Sequence, residues 1–329
     1  MTISAPSRPE TGSDMRFVLT DLERDELRAL AGRAARHQPG RLDDPQWLTE
    51  IRRLSCGLPV RLRETIRQYR HDPGPDGTLI LANLPVHENE LPETPAVRDS
   101  VERIAAVPSA ATMLIGQQLG EIIAYRDEKF GALLQNVVPV PELAESQSNG
   151  GSVPLEFHTE NAFHPNRPHY VGLMCLRGDH DGVAGTLVSS IRRVLPLLDP
   201  ADVQVLLSPR FLTDPPPSFR AGGMTEPHPV LGGDPEDPNL RVDFNTTTAL
   251  DEDGKAALER LRTVMTESAT LLVLEPGELV LVDNRLVVHG RTLFTPRYDG
   301  RDRWLHRIFV HLDSRGSRVH RTANGSVLV

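Results

Sequence analysis

A histidine and a glutamate stand one residue apart in Phe157-His158-Thr159-Glu160, and a third candidate ligand follows far downstream in Val288-His289-Gly290-Arg291. Side chains alternate between the two faces of an extended strand, so His158 and Glu160 are predicted to share a face. His289 would complete a group of two imidazoles and one carboxylate. That requires a fold in which segments remote in sequence lie together.

The rest of the chain supplies strands of suitable length. Thr20 and Glu23 fit a capping box, and Leu22, Leu27, Leu30 and Ala34 form an apolar stripe, predicting a helix that Pro39-Gly40 ends. Asp44-Pro45 opens a second helix with Trp47, Ile51 and Leu54 on one face, and a third covers Val60 to Tyr69. Strands are predicted over residues 78–85, 132–140, 170–176, 185–189, 271–283 and 305–311, and helices over 105–119, 191–198 and 251–269. Pro215-Pro216-Pro217 and the Gly/Pro-rich stretch Gly222 to Pro238 read as a long irregular insertion, uncommon inside a compact domain unless it covers a site. Together these elements predict a mainly β fold with flanking helices, a double-stranded β-helix or jelly roll. Residues 1–16 read as a disordered leader. Residues 17–329 read as one domain with N-terminal helices and an inserted lid at about 214–250.

Composition narrows the partners. With 39% hydrophobic and 25% charged residues the chain is globular, and a net charge of -9 argues against a non-specific nucleic-acid binder. No apolar run is long enough to cross a bilayer, and the N-terminus lacks the apolar core of a secretory signal, so a cytoplasmic setting is expected. Cys56 and Cys175 lack metal-ligand spacing and are expected to be buried free thiols. There is no Gly-rich phosphate loop, because Gly222-Gly223 and Gly232-Gly233 lie in Pro-rich context. A small-molecule substrate is expected; the oligomeric state is not set by the sequence.

Two imidazoles and one carboxylate leave the opposite side of a metal open, the donor set of a non-haem Fe(II) oxygenase rather than a closed structural zinc site. Fourteen residues after His289 stands Arg303, in Asp302-Arg303-Trp304-Leu305-His306-Arg307. With both halves in view, the chain resembles the clavaminate synthase-like branch of the Fe(II)/2-oxoglutarate dioxygenases. Within it the likeness is to the free-amino-acid β-hydroxylases, notably those of asparagine, with arginine and lysine hydroxylases as relatives. It runs from about Val18 to Arg318 and is densest in Phe157–Asp179 and Glu275–Asp313.

The resemblance implies that His158, Glu160 and His289 bind Fe(II), with glutamate in the middle position as this branch has it. It implies 2-oxoglutarate and O2 as co-substrates, Arg303 clamping the far carboxylate of 2-oxoglutarate and Thr186 donating to the same group. A guanidinium fork matches a carboxylate. A zinc hydrolase would accept the same three ligands but has no use for that arginine. The resemblance further implies substrate contacts at Glu128, Asn149, Asp243 and Arg307, with Arg307 one strand-face repeat beyond Arg303. Arg241 stands where arginine hydroxylases carry a second lid carboxylate, so asparagine is expected over a cationic substrate. Cβ-hydroxylation of L-asparagine is the leading expectation. Another amino acid, desaturation or γ-hydroxylation, and a non-catalytic binding protein stand as alternatives. His164, His169, His180, His306 and His311 read as surface or internally satisfied side chains.

Overall fold

The computed structural model describes residues 16–216, Phe219 and 224–329. Residues 1–15 of the expected leader lie outside these; Arg16, its last residue, opens strand β1 (Arg16–Val18). Helix α1 (Asp21–Arg36) starts on the predicted capping box of Thr20 and Glu23 and ends three residues before Pro39. Its buried face is Leu27, Ala31 and Ala34, while Leu22 is 69% exposed and falls outside the stripe expected of it. In α2 (Pro45–Ser55) the Asp44 side chain accepts from the N–H groups of Gln46 and Trp47, and the Trp47 indole donates to the Ala34 carbonyl at 2.9 Å. Helix α3 (Val60–His71) follows, then β2 (Thr78–Ala82), β3 (Val101–Glu102) and the almost wholly buried α4 (Val107–Leu119).

Next come β4 (Glu121–Tyr125), β5 (Leu134–Val137), β6 (Leu155–His158), β7 (Tyr170–Arg177) and β8 (Thr186–Ser190). Helices α5 (Ile191–Val194) and α6 (Pro200–Leu206) lead to β9 (Phe211–Thr213), β10 (Leu231–Asp234), β11 (Asp237–Leu240) and β12 (Thr247–Ala249). Helix α7 (Glu252–Glu267) precedes β13 (Thr270–Leu272), β14 (Leu279–Asp283), β15 (Val287–Arg291), β16 (Trp304–His311) and β17 (Val327–Leu328).

Two main sheets result. The larger runs β1-β2-β14-β7-β16-β4-β17, with β5 joined to β16 and β3; the smaller runs β13-β8-β15-β6. The central strands of the larger sheet read as unbroken apolar runs because both faces are buried. Leu79, Leu81, Leu279, Leu281 and Met174 face the N-terminal helices, whereas Ile80, Val280, Val282, Val171 and Leu173 face the smaller sheet. The stretch expected to be an irregular insertion is partly regular: β10 and β11 form a hairpin, and β12 pairs with β9. Gly222-Gly223 and Pro217 lie outside the described residues. No helix among the described residues is long and apolar enough to cross a membrane.

Candidate active site

His158 is the last residue of β6 and stands opposite His289 of β15. The strand ends there, so Glu160 does not reach the site by the strand alternation expected of it. Instead Thr159 donates its N–H to the Val242 carbonyl at 2.7 Å, and the chain turns through Asn161 at φ 53°. The buried Asn284 side chain fixes this turn. Its Oδ1 accepts the Glu160 N–H at 2.6 Å, and its Nδ2 donates to the carbonyls of Glu160 at 3.1 Å and Pro168 at 2.8 Å. Asn284 was missed as a site residue. Its signal was a polar residue closing the apolar run of β14 just before the His289 strand.

The turn brings Glu160 Oε2 to 3.4 Å from His289 Nε2, and one ligand atom from each of His158, Glu160 and His289 lies within 4.8 Å of the others. His158 Nδ1 is 2.9 Å from the Glu156 carbonyl oxygen. Donation from Nδ1–H there leaves the Nε2 lone pair free for a cation. The donor set therefore fits a divalent metal. Burial raises the Glu160 carboxyl, but Arg307 and the two histidines outweigh it and hold it at about 2. Burial and the neighbouring His158 push His289 down. An ionised carboxylate and neutral imidazoles are the forms that ligate.

Two cavities meet at this centre and share Asn149, Leu155, His158, Glu160 and Arg307. The larger, about 150 Å³, is lined also by Glu128 and Asp243. There the Arg307 guanidinium bonds both Glu160 oxygens at 3.1 and 3.3 Å, and it also pairs with Glu128 and Gln135. Burial raises the Glu128 carboxyl, with Arg307 opposing.

The smaller cavity, about 50 Å³, contains His289, Thr186 and Arg303. Arg303 is 7% exposed, and among the described residues its guanidinium makes no hydrogen bond or ion pair. A buried cation without a partner is costly and calls for an anion. Arg303 sits just before β16, whose pairing with β7 shifts register between Trp304 and Leu305. The simple four-residue repeat to Arg307 thus breaks at its first step, although both arginines line the cavity. Arg291, not singled out from the sequence as a site residue, lines it too. It donates to the carbonyls of Ser148 at 3.0 Å and Val153 at 2.9 Å, tying the loop that bears Asn149 to the histidine strand.

Several expectations change. Arg241 does not line either cavity; it donates to the carbonyls of Ala162 at 2.7 Å and Phe163 at 3.2 Å. With its guanidinium turned to those carbonyls, Arg241 does not face the chamber, so the charge argument against a cationic substrate loses its geometry. Cys175 is buried and Cys56 is exposed; both are free. His164 and His169 accept backbone N–H groups, and His311 bonds backbone carbonyls. His306 is buried with neither nitrogen hydrogen-bonded among the described residues, and burial pushes it down to about 3. His180 lies 3.3 Å from Asp299 and 3.6 Å from Asp302.

Comparison with known proteins agrees with this geometry. The profile of the family "Taurine catabolism dioxygenase TauD, TfdA family" matches residues 105–309. An L-asparagine oxygenase of Streptomyces coelicolor is 48% identical over 300 residues, 91% of this chain and 90% of that one. Clavaminate synthase 2 of Streptomyces clavuligerus is 36% identical, over 89% and 91%. A crystal structure of asparagine oxygenase with Fe(II), 2S,3S-3-hydroxyasparagine and succinate superposes with a TM-score of 0.93 at 46% identity, covering 95% of this chain and 98% of that one. The non-haem iron oxygenase OrfP with Fe and alpha-ketoglutaric acid gives 0.88 at 29% identity, covering 98% and 100%. The chain is a member of the taurine catabolism dioxygenase TauD, TfdA family.

Proposed function

We propose that the protein hydroxylates free L-asparagine at Cβ, using Fe(II), 2-oxoglutarate and O2 and releasing succinate and CO2. The observation that carries this reading is the pair of cavities on one histidine–glutamate–histidine centre. One presents a buried arginine without a partner among the described residues; the other presents carboxylates beside an arginine. His158, Glu160 and His289 would hold the iron, which when bound supplies the oxidising chemistry.

Arg303 takes the far carboxylate of 2-oxoglutarate, with the Thr186 hydroxyl beside it. In the larger cavity Glu128 and Asp243 receive the substrate ammonium, and Arg307 its α-carboxylate. Holding both ends of the amino acid decides which carbon faces the metal. The wall also carries Gln147, Ser148, Asn149, Asn245 and Thr246. These neutral donors and acceptors suit a carboxamide better than a guanidinium, an argument that replaces the one from Arg241.

The two packed sheets are read as a double-stranded β-helix, and residues 17–329 as one domain acting in the cytoplasm. Pro216, Phe219, Asp243, Asn245 and Thr246, from the 214–250 segment, line the larger cavity, which supports reading that segment as its lid. The test is succinate release with each of the twenty amino acids, with mass spectrometry of the products. Fastest turnover of L-asparagine, with a gain of one oxygen atom, is expected. Faster turnover of another amino acid would keep the chemistry and change the substrate, while loss of two hydrogens would indicate desaturation.

A further inference from the structure

Glu128 enters the larger cavity from a turn that the backbone does not favour. Lys129, Phe130 and Gly131 have φ values of 45°, 57° and 66°. Glycine adopts this left-handed region freely, but lysine and phenylalanine do so only at a cost. Packing of the Phe130 ring does not hold the turn, because that residue is 72% exposed.

Lys129, by contrast, is 8% exposed, and its ammonium donates to the carbonyl oxygens of Asn136 and, at 3.4 Å, Ser100. Among the described residues it has no ion-pair partner. The cage is itself braced: the Asn136 side chain donates to Ser100 Oγ and to Glu102, both at 2.9 Å, and accepts from the Trp304 indole at 2.7 Å. Arg103 donates to the Phe130 carbonyl at 3.0 Å. A methionine would fill the same space without burying a charge. What the ammonium adds is directed donors, reaching two segments outside the turn.

We infer that Lys129 is a positioning residue for the amino-acid substrate: its caged ammonium holds the 129–131 turn and so aims Glu128 at Arg307 and the cavity. The inference rests on reading that cavity as the amino-acid chamber.

The test uses the full chain loaded with Fe(II), with the amino acid that wild type turns over fastest. Lys129→Met is expected to raise KM for that amino acid ~tenfold or more, leaving KM for 2-oxoglutarate and amino-acid-independent succinate formation unchanged. Phe130→Gly alone should leave both KM values in place. Added to Lys129→Met, it should recover the amino-acid KM, because glycine accepts the turn without the ammonium. A merely destabilising effect of Lys129→Met would instead lower the apparent kcat and the amino-acid-independent succinate formation through loss of folded enzyme, and leave both KM values in place. Lys129→Gln, which keeps a donor and is the safer variant for folding, should fall between wild type and Lys129→Met. Unchanged KM values, a parallel rise in both, or no recovery by Phe130→Gly would overturn the inference while wild-type turnover upheld the chamber. Absence of amino-acid-dependent turnover in wild type would overturn the chamber and the inference together.

Discussion

His158 and His289 face each other across the antiparallel pair β6–β15, with ring centroids 4.4 Å apart. Sheet register, not a loop, sets their spacing. One slipped residue would turn either imidazole to the other face of the sheet. The centre is therefore as well defined as the ladder that carries it, and the residues that guard the ladder become testable.

Gly290 is one of them. A Cβ there would meet the Leu155 carbonyl oxygen at 2.6 Å, a backbone atom that cannot swing aside. Gly290→Ala should push β15 away from β6 next to both histidines. Fe(II) affinity is expected to fall ~tenfold or more. Metal titration and a thermal melt would check this, and unaltered metal binding would count against the register argument.

Asn284→Ala removes the bonds that fix the backbone of Glu160. By analogy with other residues that support metal ligands from behind, metal affinity should fall ~10- to 100-fold. The apolar contacts of β14 are left intact, so the fold measured by circular dichroism should persist.

Arg303→Gln removes the buried guanidinium that has no partner among the described residues. A charge-assisted hydrogen bond contributes about 1.5–3 kcal/mol, so KM for 2-oxoglutarate should rise by roughly one to two orders of magnitude. KM for the amino acid should stay near its wild-type value. An equal rise in both would deny Arg303 its assigned chamber.

The pH dependence of substrate recognition follows from Glu128, whose carboxyl burial raises above the ordinary glutamate value. A carboxylate is charged above its pKa, so its hold on an ammonium is present above the raised value and lost as pH falls through it. On the acid side kcat/KM for the amino acid should decline, starting at a higher pH than a free glutamate would give. Glu128→Gln should lower kcat/KM throughout and abolish that limb.

Much of this arrangement was legible in the residues. The caps at Thr20 and Asp44 announced α1 and α2, and the apolar runs around Ile80, Leu173 and Leu281 announced the central strands. The chemistry of His158, Glu160 and His289 was readable from residue type. Their placement was only partly so: a period-two pattern does not reveal where a strand stops, and β6 stops at His158. The β10–β11 hairpin was hidden because Gly233 and Pro238, which pair across it, look like turn residues; a two-stranded ribbon has edges that tolerate proline. Arg241 misled because a position carried over from a resemblance does not say which way its side chain turns, and here it turns to the carbonyls of Ala162 and Phe163. Asn284, Arg291 and Lys129 act through backbone carbonyls or amides of other segments; beyond the polar residue that closes the run of β14, the local sequence does not show which partners those are.

The two sheets divide the site between them. His158, His289 and Thr186 stand on the smaller sheet, while Arg307 stands on the larger and Arg303 immediately ahead of its strand β16. Neither sheet alone holds enough to bind metal, co-substrate and amino acid together. Turnover thus requires the interface between the sheets to be closed. In a heated or partly denatured sample, remaining succinate formation would count the molecules whose layers are still in contact, making the enzyme its own reporter of folding.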